Sequence, residues 1–203
     1  MENELDTYDE TTPELDPSLL LSAYVSGIFP MAMDDGQMAW FSPDPRGILP
    51  ITGFHVSHNL RAKVRQKPFT IGVDTAFDAV MRGCAARSKT WINDSILRAY
   101  GKLHVLGVAH SVEAWRDGRL VGGLYGVAIR GAFFGESMFS VETDASKVCL
   151  VHLTERLRLG GYVLHDTQWL TPHLRQFGGT EIPAAEYQVR LAAAMDVDAT
   201  WNP

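Results

Sequence analysis

Residues 110–140 constrain the fold more than any other stretch. HSVEAW (110–115) and RLVGGLYGVAI (119–129) are apolar runs joined by Asp117–Gly118, a pair suited to the positive φ angles of a tight hairpin. A second turn at Arg130–Gly131 leads into AFFGESMFS (132–140), so the chain is committed to an antiparallel meander. The third strand carries a carboxylate, Glu136, inside the run FFGESMF. A lone acid costs several kcal/mol to bury without a partner, and the usual reason to tolerate one is a cationic ligand or a polar network. After a predicted helix over about 144–158, the strand YVLHDTQW brings Asp166 and Gln168 into a similar apolar setting. A helix between two strands predicts a right-handed crossover that makes them parallel neighbours. Ligands favour the carboxyl end of such a pair, so Glu136, Asp166 and Gln168 are expected to face one cleft.

The flanking segments fill in an α+β layout with a mixed sheet. Asp16 as cap and Pro17 at the first helical position open a helix that runs to Gly27. A loop-rich passage with Pro30, Pro43, Pro45 and Pro50 follows, and residues 17–66 read as a small N-terminal lobe. The rest, 67–203, reads as the catalytic domain. PFTIGV (68–73) predicts a strand, Asp74 caps a helix to about Ala86, and Asp94 starts another that stops at Gly107. Short helices are predicted near 171–177 and 184–194.

Charge is uneven. Residues 1–16 hold seven acids and no base, and the net charge of −6 becomes +1 once they are set aside. They read as a disordered acidic leader. Nine bases (Arg61, Lys63, Arg65, Lys67, Arg82, Arg87, Lys89, Arg98, Lys102) lie within 61–102 against Asp74, Asp78 and Asp94. That asymmetry suits a polyanion, and on charge alone it suits the solvated faces of two helices equally. Cys84 and Cys149 are far apart and in no metal-like spacing, which fits a reducing cytoplasm and argues against a disulfide or zinc site. His55 and His58 are too sparse for a metal site; Asp94, His104 and His110 read as structural. The uncharged stretch 17–33 is short and interrupted by Ser, Gly and Pro, so no membrane span is expected.

The element order resembles the GNAT acyltransferase fold. CoA-using members carry an Arg/Gln-x-x-Gly-x-Gly/Ala loop that cradles pyrophosphate at a helix N-terminus. Here that helix starts at VETDASK, with acids where phosphate would sit, and the nearest match, Arg119-x-x-Gly122-Gly123-Leu124, fails its last position. The residues themselves resemble the leucyl/phenylalanyl-tRNA–protein transferase family. AYVSGIFPM (23–31), FSPDPRGILP (41–50), KTWI (89–92), HSVE-x-W (110–115), LVGGLYGVA (120–128), FFGESMFS (133–140), ASK (145–147) and HDTQ (165–168) occur in family order. Longer family members have a GGDL segment ahead of the first helix, where this chain has only its acidic leader. The family's aromatic pair before SPDPR is often Trp–Trp and is Trp40–Phe41 here.

The resemblance implies a GNAT-like mixed sheet flanked by helices. It also implies transfer of Leu or Phe, Met less readily, from aminoacyl-tRNA to proteins with N-terminal Arg or Lys, marking them for N-end-rule degradation. No metal or organic cofactor is implied, and a cytoplasmic monomer is expected. Asp166 and Gln168 match the family's catalytic pair; read from the residues alone, Asp166 fits better as a cap for the turn that follows. Glu136 and Ser137 fall in the substrate-binding block, although Glu136 also fits a buried acid paired with Arg130. Phe133, Met138, Leu124 and Leu157 match the aminoacyl side-chain pocket and read otherwise as plain core. Trp40, Phe41 and Trp91 are candidates to stack on the tRNA 3′ end, or form a hinge between lobes. Arg61, Lys63, Arg65, Lys67, Arg82, Arg87 and Lys89 would then hold the tRNA backbone. Rival readings are a CoA-dependent N-acyltransferase and a non-catalytic RNA- or degron-binding module.

Overall fold

The computed structural model describes residues 15–202. The acidic leader, apart from Leu15 and Asp16, lies outside the described residues. Helix α1 (Pro17–Val25) starts as expected, with the Asp16 side chain accepting from the Ser18 and Leu19 amides at 2.6 and 3.1 Å. A two-stranded ribbon, β1 (Phe29–Ala32) and β2 (Met38–Phe41), follows, and then β3 (Arg46–Leu49) and α2 (His58–Gln66). Next come β4 (Thr70–Val73), α3 (Phe77–Ala85), α4 (Asp94–Val105) and the meander β5 (Ala109–Arg116), β6 (Arg119–Ile129) and β7 (Ala132–Ser140). The chain ends with α5 (Ala145–Leu159), β8 (Leu164–Gln168), α6 (Pro172–Arg175), β9 (Thr180–Ile182) and α7 (Ala184–Met195).

The fold is α+β. Seven strands form one mixed sheet in the order β4-β5-β6-β7-β8-β3-β9. Only β7 and β8 run parallel, joined through α5 as the crossover requires. Leu20, Tyr24, Phe77, Ile96, Tyr100, Tyr187 and Leu191 place α1, α3, α4 and α7 in the core on one face of the sheet. Leu60, Val148, Leu150, Leu153 and Leu157 place α2 and α5 in the core on the other. Strand β3 inserts between β8 and β9, so residues 46–49 belong to the same sheet as the meander. Among the described residues, no helix is long and apolar enough to cross a membrane.

One helix start differs from expectation. The carboxylate of Asp74 does not cap α3: it accepts from the Ser111 amide (2.8 Å) and Trp201 Nε1 (2.7 Å) and bonds His110 Nδ1 (2.9 Å). Helix α4 starts at Asp94 as expected, capped by Asn93, whose side chain accepts from the Ile96 amide at 3.0 Å. At Asp74 tertiary partners take precedence over local propensity.

Candidate active site

Parallel pairing of β7 with β8 is brief. It covers Ala132 with Leu164, Phe133 with His165, and Phe134 with Asp166, and then the strands part. Both strands are irregular where they separate. The register of β6 against β7 skips Glu136, and that of β3 against β8 skips Thr167. Each skipped residue is a bulge, which re-aims the side chains beyond it. Without the bulge at Glu136, Phe133 and Met138 would point to opposite faces. With it, their partners Ala128 and Leu124 put both on the α5 side.

Asp166 is fully buried and fully satisfied. Its Oδ1 accepts from Arg46 Nε (2.9 Å) and the Gln168 amide (2.8 Å). Its Oδ2 accepts from Arg46 Nη2 (2.6 Å) and the Tyr187 hydroxyl (2.7 Å). Arg46, 1 % exposed, also donates from Nη1 to the Gly27 carbonyl at 2.9 Å and from Nη2 to the Tyr187 hydroxyl at 3.2 Å. A desolvated ion pair of this kind survives only when every lone pair is used, as here. The local bond from Asp166 to the Gln168 amide holds Gln168 at φ 58°, a left-handed conformation rare for a residue other than Gly, Asn or Asp. That turn ends β8 and brings Gln168 Nε2 to 3.1 Å from Glu136 Oε1.

Glu136 receives two more donors. The Tyr24 hydroxyl lies 2.6 Å from Oε1 and the Tyr100 hydroxyl 3.3 Å from Oε2, and the two tyrosines are hydrogen-bonded to each other. Among the described residues Glu136 has no ion-pair partner. Arg46 is committed to Asp166, and Arg130 reaches the Met195 carbonyl (3.2 Å) and Asp198 (3.6 Å) instead. Burial raises the Glu136 carboxyl to about 7, with the Tyr24 hydrogen bond pulling the other way.

A cavity of about 430 Å³ opens between the parted strands, with Glu136, Ser137 and Gln168 on its wall. One part is apolar, lined by Leu49, Leu124, Met138, Leu150, Leu153 and Leu174; another carries Met31, Trp91, Trp169 and Arg87. Asp166 is not on the wall, and neither are Phe133 and Leu157, both fully buried behind it. Phe133 supports the edge of His165 (centroids 5.5 Å) and stacks near Trp201 (5.7 Å). Leu157 lies one helical turn past Leu153 on α5, and Leu150 and Leu153 line the cavity in its place.

Trp40 and Phe41 also lie off the wall. Phe41 packs against Phe29 (6.1 Å) and Trp169 (5.8 Å), while Trp40 is exposed. In the β1–β2 ribbon Trp40 pairs with Pro30 and Phe41 with Phe29, while Phe29, Met31 and Trp91 line the cavity.

The basic segment is divided. Helix α2, with Arg61, Lys63 and Arg65, packs on the α5 face; Arg82 on α3 and the adjoining Arg87 belong to the opposite face. Lys63 is tied to Asp144 and the Thr143 carbonyl, both at 3.0 Å, and Arg82 pairs with Asp78 at 2.8 Å. Arg87 donates to the Ser137 hydroxyl and the Met138 carbonyl at the cavity. Arg61, Arg65, Lys67 and Lys89 are exposed.

Sequence reasoning missed Tyr24, Tyr100, Arg46 and His165. Among the described residues, four buried side-chain atoms lack a hydrogen-bond partner: Tyr125 Oη, His165 Nδ1, Thr167 Oγ1 and His173 Nε2. All four belong to residues that line this cavity. Burial lowers His165 to about 4 against the pull of Asp166, so its imidazole is neutral. Among the described residues no group of three or more His, Cys, Asp or Glu is placed to hold a metal ion.

A family model described as leucyl/phenylalanyl-tRNA protein transferase matches residues 48–192, and one described as that transferase's N-terminal domain matches residues 13–44. The leucyl/phenylalanyl-tRNA–protein transferase of Paramagnetospirillum magneticum is 55% identical over 193 residues, covering 92% of this chain and 92% of the relative. That of Herpetosiphon aurantiacus is 52% identical over 94% of this chain and 100% of the relative. The protein of the same description from Salinibacter ruber is 51% identical, with 94% and 84% covered.

Proposed function

The chain belongs to the leucyl/phenylalanyl-tRNA–protein transferase family, a family of aminoacyltransferases, and on that premise we propose how its cleft performs the transfer. The donor is an aminoacyl-tRNA carrying Leu or Phe, Met less readily. The acceptor is the α-amino group of a protein beginning with Arg or Lys, and the product enters N-end-rule degradation. The observation that carries this reading is Glu136: a carboxylate with no ion-pair partner among the described residues, held by Gln168 on the wall of a largely apolar cavity between parted parallel strands.

The donor side chain occupies the apolar part beside Leu124, Met138, Leu150 and Leu153. Such a pocket separates sizes by only ~1–3 kcal/mol per methylene but rejects charged side chains, which would be desolvated unpaired. The acceptor ammonium, with an ordinary pKa near ~8, lies against Glu136 and gives it a proton. The free amine then attacks the ester carbonyl, the bond to the ribose oxygen breaks, the proton that the nitrogen sheds as the amide forms passes to that oxygen, and Glu136 releases the first proton to solvent. Gln168 orients the amine. Asp166 acts through Gln168 and Arg46, as a positioning residue. The ester is already activated, so the reaction needs no metal or organic cofactor, and holding amine against ester supplies much of the rate. The protein works in the cytoplasm as a monomer, and bases among Arg61, Lys63, Arg65, Lys67, Arg82, Arg87 and Lys89 hold tRNA phosphates.

One incubation tests this reading: the protein with phenylalanyl-tRNA, acetyl-CoA and an Arg-initiated peptide, followed by the peptide's mass. A gain of one Phe residue is expected. An acetyl gain would point to a CoA-dependent N-acyltransferase, and no gain to a binding module.

A further inference from the structure

Exposed large apolar side chains are few, and among those of the described residues Trp169 alone lines the cavity. It is 44% exposed and directly follows Gln168, whose left-handed backbone ends β8 and turns the chain outward. The indole is braced from the side. Phe29 lies 5.1 Å away at an interplanar angle of 87°, and Phe41 lies 5.8 Å away at 68°. Phe29 is itself buried beneath the Arg46 guanidinium, 5.0 Å from its ring centroid. Neither phenyl lies parallel to the indole, so the stacked arrangement is not already taken. A rigid, exposed aromatic ring beside a catalytic group is an anchor awaiting a flat partner.

We propose that Trp169, rather than Trp40 or Phe41, is the stacking platform for the purine at the 3′ end of the donor. This deepens the transfer reading and rests on it. The terminal ribose carries both the ester and the base, so a platform for that base must lie within one nucleoside of the attacking amine. Trp169 satisfies this because it is the chain neighbour of Gln168, which touches Glu136. Phe41 serves it indirectly, as the side brace of the ring. The half-buried Trp91 and the guanidinium of Arg87 line the same cavity and complete an aromatic, cationic setting for a nucleotide.

The test uses the full chain and two non-hydrolysable probes. One is the phenylalanyl amide of 3′-amino-3′-deoxyadenosine; the other is the same amide on a ribose without a base. Calorimetry on wild type, Trp169→Ala and Trp169→Phe gives dissociation constants without requiring turnover. The Ala variant is expected to bind the adenosine amide about tenfold more weakly, the Phe variant to recover most of that loss, and the base-free amide to bind all three alike. Under steady-state transfer, KM for phenylalanyl-tRNA should rise by the same factor in Trp169→Ala with kcat within about twofold. Equal affinity of wild type and Trp169→Ala for the adenosine amide would overturn the proposal. So would an equal loss with the base-free amide, which would mark a structural brace. Absence of Phe transfer by wild type would overturn the reading beneath it while leaving the binding ratios to judge the platform.

Discussion

Two titratable side chains on the cavity wall, half-buried Glu136 and buried His165, pull stability in opposite directions with pH. Glu136 is raised in the folded chain from 4.5 to about 7. Its contribution is therefore fully present below pH 4.5 and is lost as pH rises through 7. His165 is depressed from 6.5 to about 4. Its contribution is present above pH 6.5 and is lost as pH falls toward 4. Between pH 4.5 and 6.5 the two offset each other, and each single variant unmasks the other group. Denaturant titrations across pH should show Glu136→Gln stabilised at pH 8 by about 2–3 kcal/mol and falling steeply below pH 6.5. The variant His165→Leu should instead gain stability on acidification from pH 7 to 4.5. Parallel pH profiles for wild type and both variants would refute the assignment. In transfer kinetics, Glu136→Gln should lose the limb of kcat/KM centred near pH 7 and fall roughly ten- to hundredfold, leaving only the ionisation of the acceptor amine near ~8.

At the same scale, the acids and the amide of the site were legible, whereas their partners were not. Glu136 stood out because an acid inside FFGESMF costs several kcal/mol to bury unless a cation or a polar network receives it. Nothing in the sequence told that Tyr24 and Tyr100, 112 and 36 residues away from Glu136, would supply its donors. Arg46 was read only as part of a loop motif, yet it neutralises Asp166 across 120 residues. Asp166→Ala would strip that buried guanidinium of its partner, so a stability loss of about 3–5 kcal/mol should accompany any transfer defect. An unchanged denaturation midpoint would contradict this account.

At the scale of elements, the strand boundaries of the meander were readable because apolar runs and turn residues act locally. The two bulges were not. Period-2 alternation from Phe133 predicts the wrong face for Met138, and only the bulge at Glu136 corrects it. Gly135, a residue that weakens a strand interior, was the available signal. On β8 the corresponding distortion ends in the left-handed Gln168. Replacing it by Gly removes the backbone strain together with the side chain. Gln168→Gly should therefore melt within about 1 kcal/mol of wild type, since relief of strain and added chain entropy offset, while transfer falls sharply. A large stability loss would mean that the side chain, not the turn, holds this segment.

At the scale of the molecule, the cleft depends on segments far from it. Trp201 places its indole against His110 (4.2 Å) and near Phe133, donates to Asp74, and offers its carbonyl to Arg156 Nη1 at 2.5 Å. The variant Trp201→Ala should cost about 3–5 kcal/mol and, by loosening Phe133 behind the pocket and His165 on its wall, narrow the preference between Leu and Phe donors. Calorimetric melting and paired transfer assays check the two effects separately.

Alternation, turn residues and helix stops settle the meander, the α5 crossover and hence the parallel pair of strands, because each depends on neighbours a few residues apart. The motifs also identify the family. The insertion of β3 beside β8, the division of the basic segment between two faces, and the outward turn of Trp40 follow from packing that no local pattern encodes. The acidity of Glu136 has the same origin: it is set by what surrounds the carboxyl once distant tyrosines and an apolar wall close around it, and desolvation is a property of the assembled core.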